Sequence, residues 1–280
     1  MTSKKFLDLE PKLSSPESSK FVILPVPFEA TTSYGKGTAN GPDAILKASK
    51  HLEAFDEELL REPCDEGIHT AKPLKELDEV REAVSDQLAA GKIPIILGGE
   101  HSITSYAVAA CKNRFSELSV LQIDAHADLR DEYEGTKLSH ACIVRRVLEI
   151  CPAVQVGIRN ISSEEYEFAK KTGQLEKIHF AHQMNENTID KILSQLSDKV
   201  YVTIDTDGLD PSVIPSTGTP EPGGLSWYKL LEILRALAEK KEIVGFDLVE
   251  FSPIKGLHAP DFAAAKLVYK LIGYITSPDK

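Results

Sequence analysis

Two short acidic clusters each stand at the end of an apolar run, and a chain that must bury both runs has few ways to place them. Leu118-Ser119-Val120-Leu121-Gln122-Ile123 leads into Asp124-Ala125-His126-Ala127-Asp128, and Val200-Tyr201-Val202-Thr203-Ile204 leads into Asp205-Thr206-Asp207. Runs this apolar suit strands of a parallel sheet covered on both faces. On an extended backbone alternate side chains share a face, so Asp124, His126 and Asp128 can converge on one point. Carboxylates are costly to bury unless positive charge compensates them. Two such clusters in one chain point to divalent metal, and to more than one ion.

The rest of the chain repeats the pattern. Candidate strands are Phe21–Val26, Ile93–Leu97, Leu118–Asp124, Ala153–Val156, Lys177–Phe180, Lys199–Asp205 and Ile243–Val249. Amphipathic stretches fall between most of them: Pro42–Phe55, Leu74–Ala90, Ser102–Asn113, His140–Ile150, Ser163–Thr172, Thr188–Leu196 and Ser226–Lys240, with a final helix over Ala259–Ile275. This alternation predicts a single α/β domain with helices on both sides of a mostly parallel sheet. Residues 1–20 read as an N-terminal arm over the surface, and no repeat or composition break divides residues 21–280. The longest irregular stretches are Pro27–Gly41, Leu129–Ser139 and Pro211–Gly224. Two of them follow acidic strand ends, and in open parallel sheets the ligand crevice lies beyond the carboxyl ends of the strands.

Charge and cysteine usage narrow the function classes. A formal charge of −11 argues against nonspecific nucleic-acid binding and favours cations, either metal ions or a positively charged substrate. The bulk charge also serves solubility. Cys64, Cys111, Cys142 and Cys151 lack CxxC spacing, which suits a reduced cytoplasmic protein rather than a disulfide scaffold or zinc ribbon. The polar N-terminal stretch has no signal-peptide core, and no apolar run approaches the roughly 18 residues of a membrane span.

Further groups cluster at strand ends. Gly98-Gly99-Glu100-His101-Ser102 follows the strand ending at Leu97, so His101 would be a third strand-end donor. With Asp124, His126, Asp128, Asp205 and Asp207 it makes six candidate ligands, enough for a bridged metal pair. Imidazole combined with several carboxylates suits a borderline-hard ion such as Mn²⁺. Asp210, before Pro211, reads as a turn former rather than a ligand. Glu250 closes the strand Ile243–Val249 and is the favoured site carboxylate, whereas Asp247, three positions earlier, should face the other side. His140, at a helix start, is a candidate proton carrier, while Arg145 and Arg146 read as helix anchors.

Together these residues resemble the ureohydrolase family of arginase, agmatinase and their relatives. The matching motifs are G-G-E-H-S at Gly98–Ser102, D-A-H-A-D at Asp124–Asp128 and D-x-D-x-L-D-P at Asp205–Pro211. The T-G-T-P-E-P-G-G loop, D-L-V-E-F-S-P at Asp247–Pro253 and the early segment from Tyr34 complete the set. The resemblance implies a three-layer α/β/α fold, two Mn²⁺ per subunit and a homotrimer or homohexamer. It implies that His101, Asp124, His126, Asp128, Asp205 and Asp207 hold the ions and that a metal-activated water attacks a guanidinium carbon. Glu250 would grip the guanidinium, and His140 would pass a proton to the departing amine.

The D-L-R-D-x-Y-E-G pattern after Ala127 is closer to agmatinase than to arginase. Leu129–Ser139 lacks the Ser/Asn/Gly-rich loop that holds an amino-acid tail, and it carries three acids. The resemblance therefore implies a small cationic guanidino substrate, with agmatine cleaved to putrescine and urea. Arg130 could instead accept a carboxylate, as guanidinobutyrate would require, and Ala141-Cys142 stands where many agmatinases have Gly-Thr. Other readings are arginase activity, a one-zinc amide hydrolase of the histone-deacetylase type, and a noncatalytic metal-binding homologue. The last would need neither Glu250 nor His140.

Overall fold

The computed structural model describes residues 5–32 and 34–276; Met1–Lys4 of the expected arm, Ser33 and the last four residues lie outside that range. Eight strands form a single sheet: β1 Phe21–Val26, β2 Ile68–Thr70, β3 Ile93–Gly98, β4 Ser119–Ile123, β5 Ala153–Ile158, β6 Ile178–Phe180, β7 Lys199–Asp205 and β8 Glu242–Val249. All pairings between them are parallel, in the order β2-β1-β3-β8-β7-β4-β5-β6. The helices are α1 Pro11–Ser14, α2 Gly41–Ser49, α3 Leu77–Ala89, α4 Thr104–Arg114, α5 Ile143–Leu148, α6 Ser163–Thr172, α7 Thr188–Gln195, α8 Trp227–Lys240 and α9 Ala259–Ile275.

Strand alternation divides the core in two. Phe21, Ile23, Ile95, Leu97, Leu121 and Ile123 point to one face and pack with α2, α7, α8 and α9. Val22, Leu24, Ile96 and Val120 point to the other and pack with α3, α4, α5 and α6. Burial on both faces is why these strands are apolar throughout rather than alternating. No helix among the described residues is long and apolar enough to cross a membrane.

Several boundaries differ from the sequence reading for local reasons. The edge strand β2 is not visible in the sequence because three residues, Ile-His-Thr, are too short to show a period. α2 stops at Ser49, whose hydroxyl bonds back to the Leu46 carbonyl and accepts the Leu7 N–H. α3 starts late, at a capping box in which the Glu76 N–H bonds the Glu79 carboxylate. Tight turns precede α4 and α5, so His101 and His140 sit just ahead of their helices. Residues 5–20 are anchored through Phe6, which is fully buried and whose N–H bonds Thr70 Oγ1 at 3.0 Å.

α9 is fastened by a buried cation. Lys270 Nζ lies 3.0 Å from Asp56, which is fully buried, and 3.1 Å from both Glu57 and Glu58. Burial alone would lower the lysine pKa, but the three carboxylates raise it. Lys270→Met leaves Asp56 buried without its counter-charge and is expected to cost on the order of 3 kcal/mol. Urea unfolding should show this as a lower midpoint with little change in slope; a parental midpoint would show that the cluster does not fasten α9.

Candidate metal centre

The sheet order brings four strand ends side by side. β3, β8, β7 and β4 are consecutive neighbours, with Ile123 beside Ile204, Asp205 beside Val249 and Leu97 beside Leu248. His101 follows β3, Glu250 follows β8, Asp205 closes β7 and Asp124 follows β4. Distant stretches of sequence therefore reach one level of the sheet. Gly99 allows the chain after β3 to press against the backbone beyond β1, since a Cβ there would come within 1.9 Å of the Phe28 carbonyl oxygen. Asp128 (φ 51°) and Glu250 (φ 59°) adopt left-handed backbone, a strain that non-glycine residues carry mainly at functional sites.

The six candidate ligands separate into two groups sharing one carboxylate. His101 Nδ1 lies 3.3 Å from Asp124 Oδ2, 3.4 Å from Asp128 Oδ2 and 3.5 Å from Asp205 Oδ2. His126 Nδ1 lies 2.9 Å from Asp207 Oδ2 and 3.7 Å from Asp124 Oδ1. Ligand atoms of His101, Asp124 and Asp205 lie within 4.8 Å of one another, as do those of Asp124, His126 and Asp207. The two oxygens of Asp124 thus face different groups. All four aspartates are buried.

The donor set fits divalent cations. His101 Nε2 lies 2.8 Å from Thr203 Oγ1, whose own proton goes to Asp247 Oδ1 at 2.6 Å. The hydroxyl can only accept from His101, so Nε2 carries a hydrogen, and in the neutral ring Nδ1 has the lone pair. That Nδ1 is buried, has no hydrogen-bond partner and faces three carboxylates. Only positive charge reconciles those groups.

Their pKa shifts express the same need. Burial and the neighbouring Asp124 push Asp128 up to about 7. Burial followed by nearby carboxylates raises Asp205 and Asp207 as well. Burial would also raise Asp124, but His101 and His126 hold it below the usual range. Burial would lower His126, yet Asp124 and Asp207 drive it up to about 12. Protons on the imidazoles are the charge that divalent ions would replace.

Supporting groups fix the ligands. The His126 N–H bonds Asp124 Oδ1 at 2.6 Å, and the Ala125 N–H bonds Asp207 Oδ1 at 3.0 Å. A ladder of buried amides runs from Gln174 to Gln155 to Gln122, whose Nε2 donates to Asp124 Oδ2 at 2.6 Å. Arg159 donates to the backbone carbonyls of Asp207, Glu221 and Pro222, clamping two loops together. Asp210 accepts from Ser212, Gly223 and Gly224, which hold its carboxyl down at about 2 and confirm it as a turn former.

A cavity of about 200 Å³ opens over these groups, with His126, Asp128, Asp205, Asp207, His140 and Glu250 in its wall. Glu250 Oε1 accepts the His101 N–H at 2.6 Å, and burial pushes its carboxyl up to about 8, a shift that a cation bound beside it would oppose. Burial lowers the pKa of His140. None of the three acids of Leu129–Ser139 lines this wall, although the charge of Glu134 acts on His140. Asp131 is engaged by Arg146 at 2.7 Å and Lys137 at 3.3 Å, while Arg130, 5.3 Å over the Tyr133 ring, and Tyr133 itself line the cavity. Arg146 does anchor its helix, through Asp131 and Glu149.

Sequence reasoning missed the amide ladder and Arg159, and it gave Asp247 no role beyond facing away from Glu250. Asp247 does lie outside the cavity wall, consistent with its spacing from Glu250. It is fully buried beneath His101, accepting hydroxyl hydrogen bonds from Thr104, Tyr201 and Thr203. Spacing gave its side of the strand; only the hydroxyl-bearing neighbours show its support of the site.

Known proteins resemble this chain over nearly its whole length. A sequence model of the arginase family matches residues 19–273. The chain is 42% identical to an N(1)-aminopropylagmatine ureohydrolase of Synechocystis sp., over 97% of this chain and 94% of that protein. It is 34% identical to an agmatinase of Pyrococcus horikoshii, over 95% of each. The crystal structure of the agmatine ureohydrolase of Thermoplasma volcanium superposes with a TM-score of 0.86 at 33% identity, covering 99% of this chain and 96% of that one.

If Asp124 serves both groups, its loss should affect both ions. Metal analysis after Mn²⁺ loading is expected to find about two ions per chain, about one in Asp207→Asn and fewer than one in Asp124→Asn. At free metal 100-fold above Kd, binding adds about 2.7 kcal/mol of stability, so the Mn²⁺-dependent rise in Tm should shrink in the same order. Asp124→Asn retaining one full-affinity ion would contradict a shared carboxylate.

Proposed function

Because the chain belongs to the arginase family and is a ureohydrolase, we propose that it hydrolyses a guanidino compound with a polyamine tail, releasing urea and the free amine. The observation that carries this reading is the pair of ligand groups sharing Asp124 beneath a cavity that also holds Glu250 and His140. In this reading His101, Asp124, Asp128 and Asp205 hold one ion, and Asp124, His126 and Asp207 hold the other. Mn²⁺ is the proposed metal, because imidazole mixed with several carboxylates suits it. When bound, the ions lower the pKa of water towards neutrality and so supply a nucleophile at physiological pH.

The chain's own residues do the rest. Glu250 accepts paired N–H bonds from the planar guanidinium and so fixes its carbon over the ligand groups. Its Oε1 is already held by the His101 N–H, which limits the carboxylate to one orientation. After water adds to the guanidinium carbon, the C–N bond to the tail breaks. The departing nitrogen takes the electron pair and a proton from His140. A noncatalytic metal protein has no use for Glu250 or His140 in the same wall.

For the tail, the proposed substrate is N(1)-aminopropylagmatine, with agmatine as a shorter alternative. The reading is supported by the 42% identity to a relative of that name and by the absence from Leu129–Ser139 of a polar loop for an amino-acid tail. Arg130 favours a second reading, because a guanidinium in the cavity wall could pair with a carboxylate tail such as that of guanidinobutyrate. A homotrimer or homohexamer in the cytoplasm remains part of the proposal, and exposed Ile254, Leu257 and Phe262 offer apolar surface for assembly.

Urea release with Mn²⁺ should rank by kcat/KM as aminopropylagmatine first, agmatine next, then guanidinobutyrate and arginine. A preference for guanidinobutyrate would establish the second reading, and no urea from any of the four would contradict ureohydrolase activity of this kind. His140→Ala is expected to lower kcat by about 10² or more with metal content unchanged. Metal loss in that variant would show that His140 is a ligand instead.

A further inference from the structure

Glu100 belongs to the G-G-E-H-S motif, is fully buried, and neither holds a candidate ion nor lines the cavity. Four donors converge on it. Oε2 accepts the Ala30 N–H at 2.5 Å and the Thr31 N–H at 2.6 Å; Oε1 accepts the Ser102 hydroxyl at 2.5 Å and the Thr31 hydroxyl at 2.9 Å. In all four bonds the carboxylate is the acceptor. Thr31 Oγ1 in turn meets His140 twice, at its backbone N–H (3.2 Å) and at ring Nδ1 (3.1 Å).

We propose that Thr31 and Glu100 are positioning residues that fix the tautomer of His140, an inference that rests on the proton-transfer role assigned above. A threonine hydroxyl has one hydrogen, and here it goes to Glu100. Towards His140 Nδ1, Thr31 presents only a lone pair at 3.1 Å, and the Ser139 hydroxyl, at the longer distance of 3.3 Å, can accept as well, so the tautomer that satisfies the Thr31 contact has its hydrogen on Nδ1. In the neutral ring Nε2 is then the basic nitrogen, and in the protonated ring Nε2–H is the acid. When the C–N bond of the substrate breaks, its electron pair takes the Nε2 proton, and the ring returns neutral with Nδ1–H still bonded to Thr31. The Tyr133 ring, edge-on to His140 with centroids 5.8 Å apart, limits rotation of the imidazole. One motif thereby serves two tasks: His101 faces the ligand groups while Glu100, its neighbour in sequence, braces the proton carrier.

Thr31→Val keeps the shape and removes the hydroxyl. Its kcat should fall about tenfold or more, part of the roughly 10²–10⁴-fold worth of a positioned proton donor, with KM and metal content within about twofold. Thr31→Ser should recover most of the lost kcat. The Thr31→Val deficit should shrink for an N-aryl guanidine, whose weakly basic leaving amine needs little protonation. An unchanged kcat, a deficit independent of the leaving amine, or failure of Thr31→Ser to rescue would each overturn the proposal. ¹⁵N NMR of His140 in the protein loaded with diamagnetic Zn²⁺ should show Nδ1 protonated and Nε2 bare, and Thr31→Val should mix the tautomers; Nε2–H in the parent protein would contradict the relay. That spectrum does not depend on turnover, so it separates failure of the relay from failure of the ureohydrolase reading.

Discussion

Asp124 is a fully buried carboxylate at the end of a central strand, with a histidine facing each of its oxygens and three further aspartates close by. Even at an effective dielectric near 20, like charges about 4 Å apart repel by about 4 kcal/mol. A group of four such carboxylates calls for positive charge, and among the described residues their ion-pair partners are the imidazoles of His101 and His126 rather than a lysine or arginine. In the neutral His101 ring, Thr203 leaves the Nδ1 lone pair pointing inward. The centre is a folding liability until cations complete it, which ties metal binding to stability as closely as to chemistry.

The order of the strands makes this concentration of charge possible. β3 and β4 are separated in the sheet by β7 and β8, which return late in the chain to fill the gap. Each of the four strands ends at the same level with at least one functional side chain. The apolar strands and the helices on both faces exclude water from below, while the loops beyond the strand ends form the cavity wall. Arg159 and Asp210 then tie those loops to each other through backbone groups. The resulting wall is defined by short hydrogen bonds to fixed backbone rather than by long side chains free to move.

Much of this was readable from residue order. Apolar runs ending in Asp124 and Asp205 implied central parallel strands. Alternation within D-A-H-A-D suggested one point of convergence, whereas the strand ends at Ile123, Asp128 turns into left-handed backbone to face His101, and His126 faces Asp207 instead. What stayed hidden depends on tertiary neighbours. β2 is too short to show a period, and although spacing put Asp247 on the far side from Glu250, its bonding to the hydroxyls of Thr104, Tyr201 and Thr203 had no sequence signal. The acids after Asp128 suggested a negative pocket wall, but Arg146 and Lys137 draw Asp131 aside and Arg130 lines the cavity. Charge counted along a loop does not report which side chains turn inward. Thr31 lies 69 positions from Glu100 and 109 from His140, so no local pattern could join them.

The central claim is that one carboxylate, Asp124, joins two metal positions into a single centre. Electron paramagnetic resonance of the Mn²⁺-loaded protein tests it most directly. An exchange-coupled Mn²⁺ pair, lost in Asp124→Asn, is the expected spectrum. The six-line signal of isolated Mn²⁺ at full loading would contradict the claim.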